Sequence, residues 1–241
     1  MRTYCFPAGL REPVFLFRND KPLKAHPAYR AAKAGDARSA VDLVKDLAGP
    51  LTTQAAATFG PNAIYAAPHA QEATGDNAIP QVLAEAIADL AGGRADRDIV
   101  QTSRVFHTGA DPMERLNNRA EFDGEVSSGA RYVLVDNVTT MGGTLAELAH
   151  YIQAGSGVVV GAAVMVNAAR SGRLIPEAGL TAELERRHGD AIREIFQIDP
   201  AALTAEEAAY LIGFRTADEI RNRSAKAKQE TDRRLRARRL A

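Results

Sequence analysis

The sequence lacks the residues on which several kinds of protein depend. Cys5 is the only cysteine among the 241 residues, so no disulfide can form within the chain and no cysteine cage can hold a metal. No stretch approaches the roughly 20 apolar residues that span a bilayer, and the N-terminus lacks the apolar core of a signal peptide. We therefore expect a cytoplasmic protein that makes no contact with a membrane.

Lysine is absent from the middle of the chain. No lysine occurs between Lys45 and Lys226, which excludes a P-loop nucleotide hydrolase there because that motif needs Gly-Lys-Ser/Thr. Any cation that faces a phosphate in this part must be an arginine or a metal ion. The formal net charge is zero, so no global field points to nucleic acid or to a membrane.

The middle of the chain does contain an alternation of apolar strands and amphipathic helices. Helices are predicted to begin at Ile79 and Thr144, and strands are predicted at residues 62–67, 98–106, 132–135 and 157–166. Continuous apolar strands separated by helices predict an α/β fold, a parallel sheet with helices on both faces. Ligands of such sheets bind beyond the C-terminal ends of the strands, where we expect loops 68–77, 136–144 and 167–172 to converge.

Three parts are expected along the chain. Residues 1–55 form an N-terminal segment that is a candidate hood, residues 56–199 form the core, and residues 200–241 form a helical, basic C-terminal extension. Near the boundary, residues 180–187 and 190–196 are predicted as two short helices. Further helices should begin at Thr204 and Thr216, because each is followed three residues later by the glutamate of a capping box.

One stretch of the core combines a strand, a polar turn and a helix. Tyr132–Val135 is apolar, residues 136–143 are polar and end in Gly-Gly, and apolar residues then recur at helical spacing to Ile152. Asp136 and Asn137 offer acceptors for two neighbouring hydroxyls. The threonines and glycines that follow offer hydroxyls and backbone N–H groups at a helix N-terminus, where anions bind well. The stretch therefore predicts a sugar-phosphate site.

Residues 133–144, Val-Leu-Val-Asp-Asn-Val-Thr-Thr-Met-Gly-Gly-Thr, resemble the phosphoribosyl-diphosphate motif of type I phosphoribosyltransferases. The resemblance covers roughly residues 60–170 and, at residues 104–123, is similar to the competence-protein-like branch of that family. It implies a parallel sheet with a smaller hood and a Mg²⁺ cofactor. It also implies phosphoribosyl diphosphate or a nucleotide 5′-phosphate as ligand, and we expect a homodimer.

The same resemblance implies roles for individual residues. Asp136 and Asn137 would be the catalytic pair that contacts the ribose hydroxyls, and Asp136 would also face the metal. The 5′-phosphate would be bound by Thr139, Thr140, Met141, Gly142, Gly143 and Thr144. A diphosphate loop would contain Ala67, Pro68 and His69, and a flexible loop would contribute Arg104, Arg115 and Arg119.

Three positions depart from the family pattern. Asn137 stands where a second acid is expected, and an amide can bond a hydroxyl but carries no negative charge. Met141 stands where a small or hydroxylated residue is usual. Thr140 stands where purine-type members carry a catalytic aspartate, so a purine-salvage activity of that type is not expected.

Alternatives remain for each feature. The expected reaction displaces diphosphate from C1 of phosphoribosyl diphosphate by a nitrogen nucleophile, but Asn137 favours a regulator that binds without turnover. The turn could also be an ordinary strand-to-helix connection. His69 is equally a loop histidine without a role, while Arg115 and Arg119 could lie in a solvated loop, and Asp111 and Glu114 are expected to face solvent.

The C-terminal tail is basic. The residues after Phe214 include ten arginines and lysines but only four acidic residues. A solvated helix, whose cations suit its C-terminal end, is favoured over contact with nucleic acid, because no aromatic residue after Phe214 could stack on a base.

Overall fold

The computed structural model describes residues 1–68, 71–72, 75–103 and 110–239, and it describes side chains within 1–68, 77–103 and 110–234. Two residues predicted for the site, His69 and Arg104, lie outside the described residues. Among the helices in these ranges, none is long and apolar enough to cross a membrane.

Nine strands and ten α-helices occur in the described ranges. The strands are β1 (Val14–Phe17), β2 (Ala63–Ala66), β3 (Gln71–Glu72), β4 (Gly75–Asp76), β5 (Arg94–Ala95), β6 (Val100–Gln101), β7 (Phe122–Asp123), β8 (Arg131–Thr139) and β9 (Val158–Asn167). The helices are α1 (Lys21–Ala25), α2 (Tyr29–Lys33), α3 (Ala37–Leu47), α4 (Gly49–Phe59), α5 (Ile79–Ala91), α6 (Pro112–Asn117), α7 (Gly143–Ala154), α8 (Ala178–Phe196), α9 (Ala205–Leu211) and α10 (Ala217–Arg239). A 3₁₀ turn at Pro200–Ala202 precedes α9.

Five strands form one sheet in the order β1-β9-β8-β2-β5, and every neighbouring pair is parallel. The pairs β3–β4 and β6–β7 are short antiparallel ribbons outside this sheet. The predicted parallel α/β sheet is confirmed. Because β8 lies at its centre, the residues at the C-terminal end of β8 lie between the ends of β2 and β9.

Both faces of the sheet are covered. Val133 and Val135 point to one face, where they share a core with residues of α3, α4 and α5. Tyr132 and Leu134 alternate with them and pack on the other face against the apolar side of α7. Strands buried on both faces read as continuous apolar runs, which is the pattern seen in the sequence.

The N-terminal segment contributes to this sheet. β1 pairs with β9, with Val14 opposite Ala163, and α3 and α4 add buried residues to the core beside α5. Asp36 caps α3 by accepting a hydrogen bond of 2.6 Å from the backbone N–H of Ser39. A further helix, α4, begins at Gly49, where only the end of α3 was predicted. The division at residues 55 and 199, and the hood role of residues 1–55, stay predictions.

Two predicted elements are wrong. Residues 98–106 were expected to form a strand of the main sheet, but Val100–Gln101 pairs with Phe122–Asp123, and Arg94–Ala95 supplies the edge strand instead. The two short helices predicted within residues 180–196 are one continuous helix, α8. A glycine inside a helix costs about 1 kcal/mol, and burial of Ile192 and Phe196 on the same helix offsets that cost at Gly189.

The C-terminal helices pack against α6. Ile220 and Ala227 of α10 are buried in an apolar cluster, here the C-terminal cluster, with Met113 and Leu116 of α6. The remaining buried members come from α8, α9 and their connection: Leu184, Ile192, Phe196, Ile198, Ala202, Leu203, Ala208 and Leu211.

Asp111 and Glu114 do not face solvent as predicted. Asp111 caps α6 and pairs with Arg223, while Glu114 is only 4% exposed and pairs with Arg234. Both acids therefore receive arginines of α10, which removes part of the tail's positive charge from solvent.

Candidate functional site

The two residues predicted to contact a sugar lie inside strand β8. Because β8 continues to Thr139, Asp136 stands opposite Val164 of β9 rather than after the strand. Asp136 and Asn137 are both buried, at 9% and 5% exposure. Successive side chains of a strand point to opposite faces, so a sugar that meets both must lie across the end of β8.

Asn137 has one polar atom without a partner. Its Oδ1 accepts a long hydrogen bond of 3.5 Å from Nδ2 of Asn77, the residue just before the segment that starts α5. Its own buried Nδ2 has no hydrogen-bond partner in the part of the chain that the structure describes. Buried amides are normally satisfied, and an exception calls for a ligand or water to complete it.

A tight turn joins β8 to α7. Gly142 is the N-cap of α7 and adopts a left-handed conformation with φ of 76° and ψ of 2°, which favours glycine because a Cβ is strained there. Gly142 has no side chain that could cap the first turn of α7, and a helix N-terminus of this kind is where anions bind well. We call residues 139–144, the stretch that was predicted to bind the 5′-phosphate, the phosphate turn.

Arg115 reaches the phosphate turn from α6. Its Nη1 donates to Oγ1 of Thr140 over 2.9 Å, and its Nε donates to the carbonyl oxygen of Ala110 over 3.1 Å. Burial lowers the pKa of the Arg115 guanidinium, but arginine is so basic that the group stays charged at neutral pH. Arg115 therefore does not lie in a solvated loop, and it places a positive charge beside Thr140.

The C-terminal region also reaches the phosphate turn. The hydroxyl of Thr204 donates to the carbonyl oxygen of Met141 over 2.6 Å. Oε1 of Glu207 lies 3.1 Å from the position that a Cβ on Gly143 would occupy. Thr204 and Glu207 are 1% and 3% exposed, so the first turn of α9 lies directly on the start of α7.

A buried ion network holds this arrangement. Arg2 is 1% exposed; its Nη1 donates to Oε1 of Glu147 over 3.0 Å, and its Nη2 pairs with Glu207. Arg119 donates to the same Oε1 of Glu147 over 2.9 Å. Burial raises the pKa of Glu147 and the two arginines oppose that rise. Burial alone would lower the pKa of Arg2, but the carboxylates of Glu207 and Glu147 raise it overall.

The loops beside the phosphate turn come from neighbouring strands. Ala67 and Pro68, from the predicted diphosphate loop, are buried at the end of β2 beside β8. On the other side, Ala168 donates its backbone N–H to the carbonyl oxygen of Thr139 over 2.9 Å. With the Asn77–Asn137 contact, the described parts of the three loops lie together at the C-terminal edge of the sheet.

A cavity of about 600 Å³ lies on the far side of the ion network. Its described lining includes Arg2, Arg119, Glu147 and His150, but none of residues 136–144. His150 accepts a hydrogen bond from the backbone of Tyr4 and stacks on its ring at 5.7 Å. Arg119, predicted for the flexible loop, therefore lines this cavity together with its partner Glu147.

Four residues of the turn's surroundings and of the ion network were not predicted to belong to a site. Arg2 and Glu147 carry no sequence signal, because a buried ion pair between residues 145 positions apart follows only from the fold. The sequence predicted that Thr204 and Glu207 form a capping box, and the structure confirms it at the start of α9. The capping pattern, however, does not indicate which surface the helix start will cover.

Comparison with known proteins gives partial matches. No family model matches the chain. The chain is 37% identical over 225 residues to Protein TraN of Escherichia coli, which covers 91% of this chain and 50% of TraN. It is 37% identical over 133 residues to an uncharacterized protein of Haemophilus influenzae, which covers 53% of this chain and 29% of that protein. The chain thus spans half or less of the length of these relatives.

Two solved structures are similar over part of the chain. Adenine phosphoribosyltransferase from Leishmania tarentolae has a TM-score of 0.35 and 16% identity, over 62% of this chain and 76% of that one. Adenine phosphoribosyltransferase from Leishmania donovani has a TM-score of 0.36 and 16% identity, over 63% of this chain and 71% of that one. The fold described above rests on the strand order and pairing of this chain and not on these two similarities.

Proposed function

We propose that the chain binds phosphoribosyl diphosphate, or a related nucleotide 5′-phosphate, at the C-terminal end of β8. In the same proposal it transfers the phosphoribosyl group to a nitrogen acceptor of unidentified structure. One observation carries the proposal: buried Asp136 and Asn137 lie near the end of β8, five residues or so before the left-handed Gly142 that opens α7. Side chains that can accept hydrogen bonds from hydroxyls are then connected by a short turn to a helix N-terminus that can bind an anion.

We propose a role for each group from its position. The 5′-phosphate binds at the phosphate turn, with Arg115 beside Thr140 as the nearest described cation of α6. Asp136 accepts from a ribose hydroxyl, and Asn137 uses its amide, whose Nδ2 has no partner among the described residues. Ala67, Pro68 and His69 form the diphosphate loop in this proposal. Arg119 is held by Glu147 and receives no role at the diphosphate.

The residues present fit Mg²⁺ only together with substrate oxygens. In the described ranges, no group of three or more His, Cys, Asp or Glu side chains could hold a metal ion. Mg²⁺ is commonly bound by one or two carboxylates together with substrate phosphates and water. Asp136 would supply the carboxylate, and the diphosphate oxygens would supply further ligands. When bound, the ion neutralises negative charge that develops on the diphosphate.

Transfer would break the bond between C1 of the ribose and a diphosphate oxygen, with the electron pair leaving on the diphosphate. A bond from C1 to the acceptor nitrogen forms in its place. The chain contributes positioning at the phosphate turn and the negative charge of Asp136 beside the positive charge that develops on the ribose. Because Asn137 is neutral, only one carboxylate of the expected pair acts in this way.

A second candidate is a protein that binds the same ligands without turnover. The neutral Asn137 favours it, because one carboxylate of the expected catalytic pair is missing. Association with nucleic acid through the basic α10 would belong to this candidate, although Arg223 and Arg234 of α10 are already paired with acids of α6.

Calorimetric titration tests the proposal. Phosphoribosyl diphosphate should bind in the presence of Mg²⁺, and Asp136→Asn should weaken that binding about tenfold or more, since tenfold corresponds to about 1.4 kcal/mol. Asp98→Asn, an exposed aspartate away from the turn, is the control and should bind as the wild type does.

Release of diphosphate separates the two candidates. Incubation with a panel of nitrogen bases should yield diphosphate if the chain is a transferase. Binding without release for any base favours the regulator. If neither phosphoribosyl diphosphate with Mg²⁺ nor any nucleoside 5′-phosphate binds, both candidates fail.

A further inference from the structure

The first turn of α9 covers the phosphate turn closely. The Cγ2 atom of Thr204 would lie 3.5 Å from a Cβ on Gly142, and Oε1 of Glu207 would lie 3.1 Å from a Cβ on Gly143. The hydroxyl of Thr204 is bonded to the carbonyl oxygen of Met141. A phosphate bound to the N–H groups at the start of α7 would therefore be a close neighbour of the Glu207 carboxylate.

The side chain of Met141 adds a second attachment. It packs against the C-terminal cluster, which is built from α6, α8, α9 and α10. The phosphate turn is thus held to the C-terminal region through an apolar contact as well as through the hydrogen bond from Thr204. Movement of α9 away from the turn would have to break both attachments.

Charge opposes an anionic ligand while α9 stays in place. Glu207 is 3% exposed, and its carboxylate is bound at one oxygen by the backbone N–H of Thr204 and by Arg2. Arg2 is shared with Glu147, so its positive charge is already matched by two carboxylates. Arg119 also pairs with Glu147, so the network holds two arginines and two carboxylates, and a phosphate would add negative charge to a group of ions that has no surplus cation.

We propose that residues 204–207 form an autoinhibitory contact, in which the carboxylate of Glu207 competes with the phosphate of the ligand for the start of α7. A phosphate ester binds when α9 moves off the phosphate turn, and ligand affinity is therefore set by how firmly the C-terminal region is docked. The inference rests on the proposed function, because it names the regulation of that same site.

The variant Glu207→Gln tests the contact. Glutamine keeps the size of the side chain and its capping role at Thr204, but it removes the negative charge. We expect ribose 5-phosphate and phosphoribosyl diphosphate to bind about tenfold more tightly to Glu207→Gln than to the wild type. Equal or weaker binding would overturn the inference.

Glu114→Gln is the matched control. Glu114 also occupies the third position of a capping box, is buried at 4% exposure and pairs with an arginine, but its contacts are with α10. It should leave ligand affinity unchanged. Equal tightening in both variants would show that loss of any buried capping charge is sufficient, and the inference would fail.

A measurement on the wild-type protein makes the test independent of any folding defect in the variant. Hydrogen exchange of the α9 amides, Ala205–Leu211, should rise when ribose 5-phosphate saturates the protein. Slower or unchanged exchange would mean that the ligand and docked α9 coexist, which contradicts competition. If neither wild type nor Glu207→Gln binds either ligand, the proposed function fails as well; if both bind equally, only the autoinhibitory contact does.

Discussion

The hydroxyl of Thr204 donates a hydrogen bond to the carbonyl oxygen of Met141, 63 residues earlier in the chain, over 2.6 Å. The bond joins the start of α9 to the turn that opens α7. The side chain of Met141 has a structural role of its own, because it packs against the C-terminal cluster. The shape of the phosphate turn therefore depends on helices that follow the sheet.

Arg2→Met should destabilise the protein strongly. The change leaves the carboxylates of Glu147 and Glu207 buried without their shared cation, and such a loss costs about 3–5 kcal/mol in the free energy of unfolding. Arg97→Met is the control: Arg97 is 74% exposed at its side chain and pairs with Glu85 at the surface, so its loss should change stability by about 0.5 kcal/mol or less.

The cost of Arg2→Met should depend on pH. Burial already raises the pKa of Glu147 above its ordinary value of 4.5, and loss of Arg2 should raise it further. A carboxyl with a raised folded pKa contributes stability below pH 4.5 that is lost as pH rises through the folded pKa. Denaturant unfolding should thus show a smaller deficit at pH 4.5 than at pH 7.5; equal deficits would contradict the buried network.

Asn137→Asp should create a response to Mg²⁺. Position 137 is only 5% exposed, so the melting temperature should fall without metal, because burial disfavours the charged form of the new carboxyl. Addition of Mg²⁺ should recover much of the loss and should tighten binding of phosphoribosyl diphosphate. Asn19→Asp makes the same charge change at an exposed position and should show neither effect; a variant at 137 that ignores Mg²⁺ would weaken the assignment of Asp136 to the metal.

Gly142→Ala should weaken ligand binding more than its effect on stability would suggest. Gly142 and Gly129 have nearly equal positive φ angles, 76° and 72°, so an alanine at either should cost about 1–2 kcal/mol in the free energy of unfolding. Of these two alanine side chains, only the one at position 142 would lie in the phosphate turn. Calorimetry should show about tenfold weaker phosphate binding for Gly142→Ala and normal binding for Gly129→Ala, and the reverse order would remove the turn from the binding site.

Cys5 should report the docking of the C-terminal region. Burial raises the pKa of its thiol to about 11, and the thiol donates to the carbonyl oxygen of Leu203 over 3.5 Å. Because the thiolate is the reactive form, alkylation by iodoacetamide at pH 8 should be about 100-fold slower than in the unfolded chain, as two pKa units imply. Comparable rates in native buffer and in guanidinium would show that Cys5 is not enclosed.

The sheet could be predicted from sequence because its strands are continuous apolar runs, and burial on both faces leaves that pattern. Tyr132–Val135 and residues 157–166 were assigned for this reason. Residues 94–95 were missed because a two-residue edge strand has no periodicity to read. Gly189 suggested a break in α8, but tertiary burial outweighs the local preference of a single glycine.

Only part of the candidate site could be predicted from the sequence. Asp136, Asn137 and the phosphate turn are contiguous in sequence, so their chemistry could be inferred together, and their roles stay predictions. Arg2, Glu147 and Glu207 meet only after the chain has folded, and no spacing rule connects them. Arg115 and Arg119 were grouped by sequence, yet they contact different partners, Thr140 and Glu147.

The position of Arg2 also determines when the site can be completed during synthesis. Its backbone pairs with residues 197 and 199 and its side chain with Glu207, while β1 must wait for β9 to join the sheet. Contacts between such distant parts of a chain close long loops, which slows folding. The phosphate turn also leaves the ribosome before the residues that cover it. Synthesis adds roughly 5–20 residues per second, so Thr204 follows Met141 by several seconds. During that interval an anion can reach the turn without competition from Glu207.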